Sequence, residues 1–514
     1  MKTDKHWAKI GLFPHHGICL PLSALRTKKS CGIGEFLDLI PLIDWCSQLK
    51  MDCIQLLPLN DSGNDPSPYN ALTSCALDPI YLSLASLPDA ISKKLPSLDL
   101  FIPFSQTQRV SILQVKQHKL DWLRNYFELV FPQVSKTSKY QEFIKSHPWL
   151  ETYALFKSLK KQFEDQYWKD WPLEYQTPKP EHFTEYKKEI NFHCFLQFLC
   201  FDQLETVRAH ATLRGVFLKG DIPILLSPDS ADVWAHRSFF RLDLAAGAPP
   251  DLYNPLGQKW GFPLFNWDAM RHSGFSWWKR RLGVAEKFFH IYRIDHVVGF
   301  FRIWAIPEKN KPTEGFFIPS DETLWLGQGK EILEMMLEAS TLLPIAEDLG
   351  TIPPMVRPLL KELGICSTKV MRWERRWLQD KGYIPFNLYE PFSMTTVSTP
   401  DMDPLKLWWK KYPDESIPFA HFKNWTYQPD LTSKQQQEIL HDAHHTSSYF
   451  HINLLQEYLA LYPELAWPNP EDERINVPGT LLPTNWTYRF RPFLEEIASH
   501  SNLAASIRAI LKNS

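Results

Sequence analysis

Long apolar runs are missing from this chain of 514 residues. A membrane-spanning helix needs about 18 or more apolar residues in succession, and no such stretch occurs. The N-terminal segment MKTDKHWAKIGLFPHHG is polar and lacks the apolar centre of a secretory signal peptide. These absences predict a soluble protein that is not bound to a membrane and is located in the cytoplasm.

An excess of charge of either sign is also missing. Lys and Arg total 56 against 58 Asp and Glu. This near balance gives no electrostatic support for a nucleic-acid partner or for an acidic membrane surface. The eight cysteines include no CxxC pair, and several lie inside apolar runs, which predicts buried, reduced thiols instead of disulfides or a zinc site. The run HDAHH at 441–445 has no companion ligand motif, so no metal is predicted.

Aromatic residues and proline are abundant. The 41 prolines predict many long, shaped loops, and the chain has 33 Phe, 18 Tyr and 20 Trp. So many rings indicate either a large aromatic core or a cleft in which flat rings stack on the apolar faces of sugars. Composition alone does not separate these two interpretations.

Short apolar runs recur, each ending in a polar or charged cluster. They are GICLPL, CIQLLPL, GVFLKGDIPIL, FHIYRIDHV, LLPIAEDLG and TKVMRWE. Such runs are typical of buried parallel strands whose last residues emerge at one face. Because helical patterns alternate with them, and because the chain is long, we predict an α/β fold: a (β/α)8 TIM-type barrel with long loops at the catalytic face.

The alternation of strand and helix patterns is interrupted. Residues 1–85 are predicted to form the first part of the catalytic barrel, and residues 86–190 a mostly helical insertion, because RVSILQVKQHKLDWLRNYFELVF carries an apolar helical stripe. Residues 191–514 are predicted to complete the barrel. Within them, the Pro- and aromatic-rich stretch at about 227–285 is predicted to be a loop-rich insertion.

The first candidate chemical group lies in FHIYRIDHVVGF. Alternation along a strand puts Arg293 and Asp295 on one face, where the arginine would hold the carboxylate ionised and oriented. His296 follows where the strand would end. The pattern is typical of a catalytic carboxylate at the end of a barrel strand, and also of a structural ion pair.

A second carboxylate ends the apolar run LLPIAEDLG. Burial at a strand end raises the pKa of a glutamate, which suits Glu347 to general acid catalysis. Asp348 fits the same pattern. In VSTPDMDP, Asp401 and Asp403 follow a short strand-like run that by itself predicts a turn. Carboxylates from separate strand ends are what glycoside chemistry requires.

Several longer motifs occur in order along nearly the whole chain. They are GIGEF, LLPLNDSGNDPSPYNALTSCALDP, GDIPILLSPDSADVW, GAPPDLYNPLGQKWGFPLFNW, RIDHVVGF, AEDLG and INVPGTLLPTNW. In these motifs the chain resembles the amylomaltases, or disproportionating enzymes: the 4-α-glucanotransferases of glycoside hydrolase family 77. The segment LNDSGNDPSPYN is most similar to the branch that acts on larger or branched glucans.

The resemblance implies a role for each matching residue. Asp295 would be the nucleophile, Glu347 the acid/base and Asp401 the third carboxylate, which grips the distorted sugar. The binding residues implied are Arg293, which orients Asp295; Asp221 and His296, which bind the sugar beside the scissile bond; Tyr69, which stacks on it; and Asp251, Tyr253 and Trp260, in a loop at 247–260 over the acceptor side.

The function implied is retaining transfer of a segment of an α-1,4-glucan to the 4-hydroxyl of glucose or of another glucan. Substrates would be maltooligosaccharides or glycogen-type α-glucans, and no metal or other cofactor is implied. Two alternatives stay open: an α-glucan hydrolase of the same clan, and a non-catalytic glucan-binding protein. The chain departs from the family at Pro400, where a histidine usually precedes the third aspartate, and this weakens the expected sugar binding there.

Overall fold

Twelve strands form two sheets in the residues that the computed structural model describes, which are 1–90, 94–250 and 255–512. In chain order the strands are β1 (His15–Leu20), β2 (Cys53–Leu56), β3 (Phe217–Ile222), β4 (Phe240–Ala248), β5 (Gln258–Phe265), β6 (Ile291–Ile294), β7 (Ile303–Pro307), β8 (Phe316–Ile318), β9 (Leu343–Ala346), β10 (Ser367–Val370), β11 (Ser393–Thr396) and β12 (Phe450–Leu454).

Eight of these strands form a closed parallel barrel. Its order is β1, β2, β3, β6, β9, β10, β11 and β12, and β12 pairs with β1. The ring closes between β9 and β10, where Ile345 bridges Cys366 and the Ala346 N–H donates to the Cys366 carbonyl over 2.7 Å. Each strand pairs with the next barrel strand along the chain, so the predicted TIM-type barrel is confirmed.

Helices connect and surround the barrel strands. They are α1 (Asp4–Ile10), α2 (Leu39–Gln48), α3 (Ile102–Ser105), α4 (Ile112–Val134), α5 (Ser138–Ser146), α6 (Leu150–Gln162), α7 (Pro180–Glu185), α8 (Lys187–Leu213), α9 (Ala231–Ala235), α10 (Trp267–His272), α11 (Ser276–Ala285), α12 (Trp325–Ala339), α13 (Val356–Leu363), α14 (Leu405–Lys411), α15 (Pro413–Phe422), α16 (Ser433–His444), α17 (Leu455–Leu459), α18 (Leu494–Ser499) and α19 (Ser501–Leu511).

Two barrel strands lack an apolar run. Strand β11 has the sequence SMTT and β12 has FHINL, and Ser393, Thr395, His451 and Asn453 are all buried in them. Hydrogen bonds compensate this burial, because the Thr395 hydroxyl lies 2.9 Å from the Thr446 hydroxyl and 2.8 Å from that of Ser448. The barrel therefore encloses polar side chains, which an apolar pattern cannot reveal.

A second, antiparallel sheet stands beside the barrel in the order β5, β4, β7 and β8. The strands β4 and β5 form a hairpin inside the stretch 227–285, which also contains α9, α10 and α11. This stretch, predicted from its prolines and aromatic residues to be loop-rich, thus contains regular structure outside the barrel. The division of the chain into barrel and insertions stays a prediction.

The helices α3 to α7 follow β2, and buried charges tie them to the loop after that strand. The carboxylate of Asp61 is fully buried and lies 3.2 Å from the ammonium of Lys116 in α4 and 2.8 Å from that of Lys157 in α6. Lys116 also pairs with Asp78 over 2.7 Å. Since paired charges at such depth fix geometry, these contacts hold the loop that carries Tyr69.

All eight cysteines are buried as free thiols. Across the three described ranges, no helix has both the length and the apolar character needed to cross a membrane.

Candidate active site

The charged groups singled out in the sequence converge where parallel strands end. Asp221 lies near the end of β3, Arg293 lies in β6, and Asp295 follows β6 directly. Glu347 follows β9 directly, and β6 and β9 are paired. Because the carboxyl ends of parallel barrel strands meet at one face, these side chains share a single pocket.

Arg293 connects the carboxylates. Its Nη1 atom lies 2.9 Å from both carboxylate oxygens of Asp221 and 2.9 Å from Oδ1 of Asp295. Its Nη2 atom lies 3.8 Å from Oε2 of Glu347. Burial alone would lower the pKa of Arg293, but Asp221 and Asp295 raise it well above its ordinary value. The guanidinium is therefore a permanent charge at the centre of the site.

Asp295 and Asp221 differ in access. The Asp221 side chain is fully buried and accepts a 2.8 Å hydrogen bond from the hydroxyl of Tyr69, whereas the Asp295 side chain is 21% exposed. Oδ2 of Asp295 has only a long contact, 3.4 Å, with the Ile224 N–H. Asp295 thus combines an arginine partner with an oxygen that a substrate can reach, which favours the catalytic interpretation over a structural ion pair.

Glu347 is held by main-chain donors. Its Oε2 accepts from the His296 N–H over 2.8 Å, and its Oε1 accepts from the Leu349 N–H over 3.1 Å. Burial raises the pKa of Glu347 to about 7; Arg293 opposes this rise and Asp295 adds to it. A carboxyl group with this pKa can donate a proton at neutral pH and take it back.

Asp348 is excluded from the site by its own contacts. Its side chain is fully buried, accepts from the Thr368 N–H over 2.7 Å, and pairs with the Arg357 guanidinium over 2.8 Å. Of the two adjacent carboxylates that the sequence left open, Glu347 faces Arg293, whereas Asp348 joins β9 to β10.

His296 lies between the two carboxylates in an unusual backbone conformation. Its φ is 42° and its ψ is 56°, the left-handed region that non-glycine residues rarely occupy. Burial lowers the pKa of its imidazole, which is therefore neutral near pH 7. The ring of Trp260 in β5 packs edge-on against the imidazole with 5.1 Å between centroids, so Trp260 also borders the site.

Asp401 lies in a tight turn after β11. The Met402 N–H donates to the Thr399 carbonyl over 3.0 Å, and Pro400 takes the second position of the turn, which suits its fixed φ. Oδ1 of Asp401 accepts a 2.6 Å hydrogen bond from the amide of Asn476, and burial raises the pKa of Asp401.

Asp403 pairs with basic side chains instead of Asn476. Its carboxylate is buried against the guanidinium of Arg474, at 2.5 Å, with the ammonium of Lys411 at 3.6 Å. The charges of Arg293 and Asp295 also act on the pKa of Asp401, so this aspartate lies close to the other candidate groups.

Two residues of the site were missed in the sequence. One is Asn476, which contacts Asp401. The other is Trp486, whose ring packs against that of Tyr69 with 5.3 Å between centroids. Both belong to the motif INVPGTLLPTNW, where an amide and an indole in a Pro- and Gly-containing loop after β12 were the available signal. Two other predicted site residues, Asp251 and Tyr253, lie outside the described residues.

In the part of the chain that the structure describes, no group of three or more His, Cys, Asp or Glu side chains could hold a metal ion. The histidines of 441–445 lie at the end of α16 and just after it, where the rings of His441 and His445 stack with 4.1 Å between centroids.

A closed parallel barrel, with carboxylates and an arginine at the carboxyl ends of its strands, is the arrangement of a barrel enzyme that acts on glycosides. The family model for the 4-alpha-glucanotransferases of glycoside hydrolase family 77 matches residues 20–495. The chain therefore belongs to this family, and its activity is that of a 4-α-glucanotransferase. The hydrolase and binding-only alternatives are not favoured.

Curated relatives agree. The chain is 46% identical to a 4-alpha-glucanotransferase of Chlamydia caviae, over 99% of this chain and 96% of the relative. It is 45% identical to a 4-alpha-glucanotransferase of Chlamydia pneumoniae, over 99% of both chains. Among solved structures, the amylomaltase from Streptococcus agalactiae in complex with acarbose superposes with a TM-score of 0.83 at 23% identity, covering 97% of this chain and 98% of that one. At this identity the superposition shows the fold alone.

Proposed function

We propose that Asp295 and Glu347 carry out a retaining double displacement on α-1,4-glucans. The observation that carries this proposal is that both carboxylates face Arg293, with Asp295 in direct contact with the guanidinium and Glu347 buried so that its pKa is raised to about 7. One group then attacks as an anion, and the other supplies a proton.

In the first step Glu347 donates its proton to the glycosidic oxygen while an oxygen of Asp295 bonds to the anomeric carbon. The bond between that carbon and the glycosidic oxygen breaks, and the reducing-end part of the glucan leaves with the proton. In the second step Glu347, now a carboxylate, takes the proton of an acceptor 4-hydroxyl, whose oxygen displaces Asp295. Two inversions at the anomeric carbon retain the α configuration.

The remaining site residues bind and orient. Arg293 pairs with Asp295 and orients it, and Tyr69, held through Asp221, offers its ring to the sugar. The neutral imidazole of His296 is placed to hydrogen-bond a sugar hydroxyl. Asp401, fixed by Asn476, grips hydroxyls of the distorted sugar.

Transfer in place of hydrolysis requires that water be kept from the intermediate while a glucan is admitted. Trp260, packed against His296, supports a covering role for the loop at 247–260. The corresponding roles of Asp251 and Tyr253 rest on the family resemblance.

The finer substrate choice is maltooligosaccharides and glycogen-type glucans, which rests on LNDSGNDPSPYN and its resemblance to the branch that acts on larger glucans. The eight free thiols support a reducing compartment, and we place the enzyme in the cytoplasm.

The test is a time course of products from maltose, maltotriose and glycogen, each with and without added glucose. Transfer predicts longer oligomers from maltotriose at a constant number of reducing ends, and faster product exchange when glucose is the acceptor. An Asp295→Asn preparation is the matched control for contaminating activity. A steady rise in reducing ends without longer products would show a hydrolase and refute the proposal.

A further inference from the structure

An exposed tryptophan stands on the catalytic face in the segment after β10. The Trp377 side chain is 46% exposed, and its neighbour Leu378 is fully exposed. Both follow the 3-10 turn Met371–Trp373, which begins directly after β10. Two large apolar side chains next to each other in the sequence are therefore both exposed here, and both leave apolar surface accessible to a ligand.

The segment that presents Trp377 is a braced hairpin. Arg375 pairs with Tyr383 in an antiparallel bridge, and the Arg376 N–H donates to the Gly382 carbonyl over 2.9 Å. The Arg376 guanidinium forms a two-pronged ion pair with Asp380, with distances of 2.9 and 2.8 Å. Tyr383 is buried and packs edge-on against Phe419 of α15 with 5.2 Å between centroids. The hairpin is thus anchored at its base.

The ring of Trp377 is itself oriented. Its indole N–H donates to the Trp373 carbonyl over 3.0 Å, and the guanidinium of Arg375 lies 5.0 Å from the ring centroid, above one face. The same guanidinium lies 4.9 Å from the ring of Tyr383. Because Arg375 covers one face and the residue is 46% exposed, apolar surface of an oriented ring remains accessible for stacking.

The position of the ring relates it to the active site. Trp373 is three residues beyond Val370, the end of β10, and three residues span at most about 11 Å. The indole nitrogen of Trp377 is one 3.0 Å hydrogen bond beyond the Trp373 carbonyl and therefore lies within roughly 16 Å of that strand end. β10 neighbours β9, the strand that ends before Glu347. Trp377 is thus near the catalytic pocket but is not among the groups that contact its carboxylates.

We propose that Trp377 is an outer stacking site for an α-glucan chain, occupied by sugar units several positions away from the scissile bond. The inference rests on the proposed function, since it takes the polymer that the active site cuts as the ligand. A flat ring binds the apolar face of a glucose unit, and the donors and acceptors of Arg376 and Asp380 beside it suit sugar hydroxyls. Long and branched glucans reach this ring, whereas maltotriose fills only the catalytic pocket.

The test compares Trp377→Ala with Phe13→Ala. Phe13 is a suitable control because its side chain is 52% exposed and it precedes β1, at the opposite end of the barrel. Migration in native gels containing glycogen measures chain binding, and the rate of maltotriose disproportionation measures the catalytic pocket. Trp377→Ala is expected to weaken glycogen retention roughly two- to tenfold. This loss should be larger than any change in the rate of maltotriose disproportionation. Trp377→Phe is expected to restore part of the glycogen retention. Phe13→Ala should leave both unchanged.

The outcomes are distinguishable. Unchanged glycogen retention in Trp377→Ala would overturn the proposal. Equal losses on glycogen and maltotriose would also overturn it, because they would mean that the ring belongs to the catalytic pocket or is needed for the hairpin to fold. A change in particle mass by light scattering, with glycogen retention intact, would make the patch a protein contact and would also overturn it. Failure of the proposed function would be detected separately. The unaltered protein would then produce no oligomers larger than maltotriose from maltotriose.

Discussion

The backbone N–H of His296 donates a hydrogen bond to Oε2 of Glu347 over 2.8 Å. His296 directly follows Asp295, and its left-handed backbone turns the N–H toward the end of the neighbouring strand. The main chain thus fixes the proposed acid/base relative to the proposed nucleophile, whatever the side chain at position 296 does. This explains why a strained conformation is tolerated here: it orients two reacting groups with one peptide unit.

The pH dependence of kcat/KM should show a basic limb with its midpoint near pH 7. Burial raises the pKa of Glu347 to about 7, and the first step needs its protonated form. Raising the pH through 7 removes that proton and lowers the rate, whereas lowering the pH retains it. Initial rates on maltotriose between pH 5 and about 9 measure the limb. A rate that does not fall between these two pH values would contradict the assignment.

Glu347→Gln should harm natural glucans far more than activated donors. Fluoride leaves without a proton, so an α-glucosyl fluoride should still react with Asp295, while return of the sugar to an acceptor slows for lack of a base. Mass spectrometry of the digested protein should find the trapped sugar on Asp295. Equal losses on both donors, or an adduct on Asp221 or Asp401, would refute this pairing of roles.

Asp295→Asn should lower kcat by several orders of magnitude while the melting temperature stays close to that of the unaltered protein. An amide cannot form the covalent intermediate, so the reaction route itself is lost. Arg293 loses one ionic partner in this variant but keeps its contacts with the buried Asp221, so the guanidinium is not left unpaired. Asp221→Asn is the comparison, since the fully buried Asp221 should affect stability as well. Transfer near the unaltered rate in a pure Asp295→Asn sample would exclude the nucleophile.

The sequence predicted most of the barrel and the position of its two central carboxylates, because buried parallel strands appear in a sequence as short apolar runs. Six of the eight strands coincide with apolar runs, and Asp295 and Glu347 directly follow two of them. Strand β12 was missed because His451 and Asn453 are buried in polar contacts that only the fold supplies. Asn476 and Trp486 were missed for a related reason: both lie in loops, and a loop residue's neighbours are set by long-range packing, which carries no local period.

Glu457, at the start of α17, should act as a positioning residue for Asp401. Its buried carboxylate accepts from the Ser398 hydroxyl over 2.5 Å and from the Leu405 N–H over 3.0 Å, so it ties both ends of the segment that presents Asp401. Glu457→Gln keeps the shape and loses the charge-assisted bonds. We expect kcat to fall roughly tenfold to a hundredfold with a smaller change in KM, because the loss falls on transition-state contacts.

A purely structural role for Glu457 would lower the melting temperature and the yield of active protein but leave kcat per folded molecule unchanged. Titration of folded active sites with a glucosyl fluoride therefore separates the two cases. Unchanged kcat per titrated site in Glu457→Gln would contradict the positioning role.

Asp401 and Asp403 should respond in opposite ways to substitution by asparagine. Asp401 lies in the pocket and is held by Asn476, so Asp401→Asn should lower kcat severely; because burial already disfavours its charge, the melting temperature should not fall. Asp403 is the buried partner of Arg474, so Asp403→Asn should cost on the order of 3 kcal/mol of stability while the activity of the folded fraction changes little. Thermal unfolding and initial rates on one maltooligosaccharide, measured for both variants, decide the matter. Severe kinetic loss in Asp403→Asn with intact kinetics in Asp401→Asn would move the third catalytic role to Asp403.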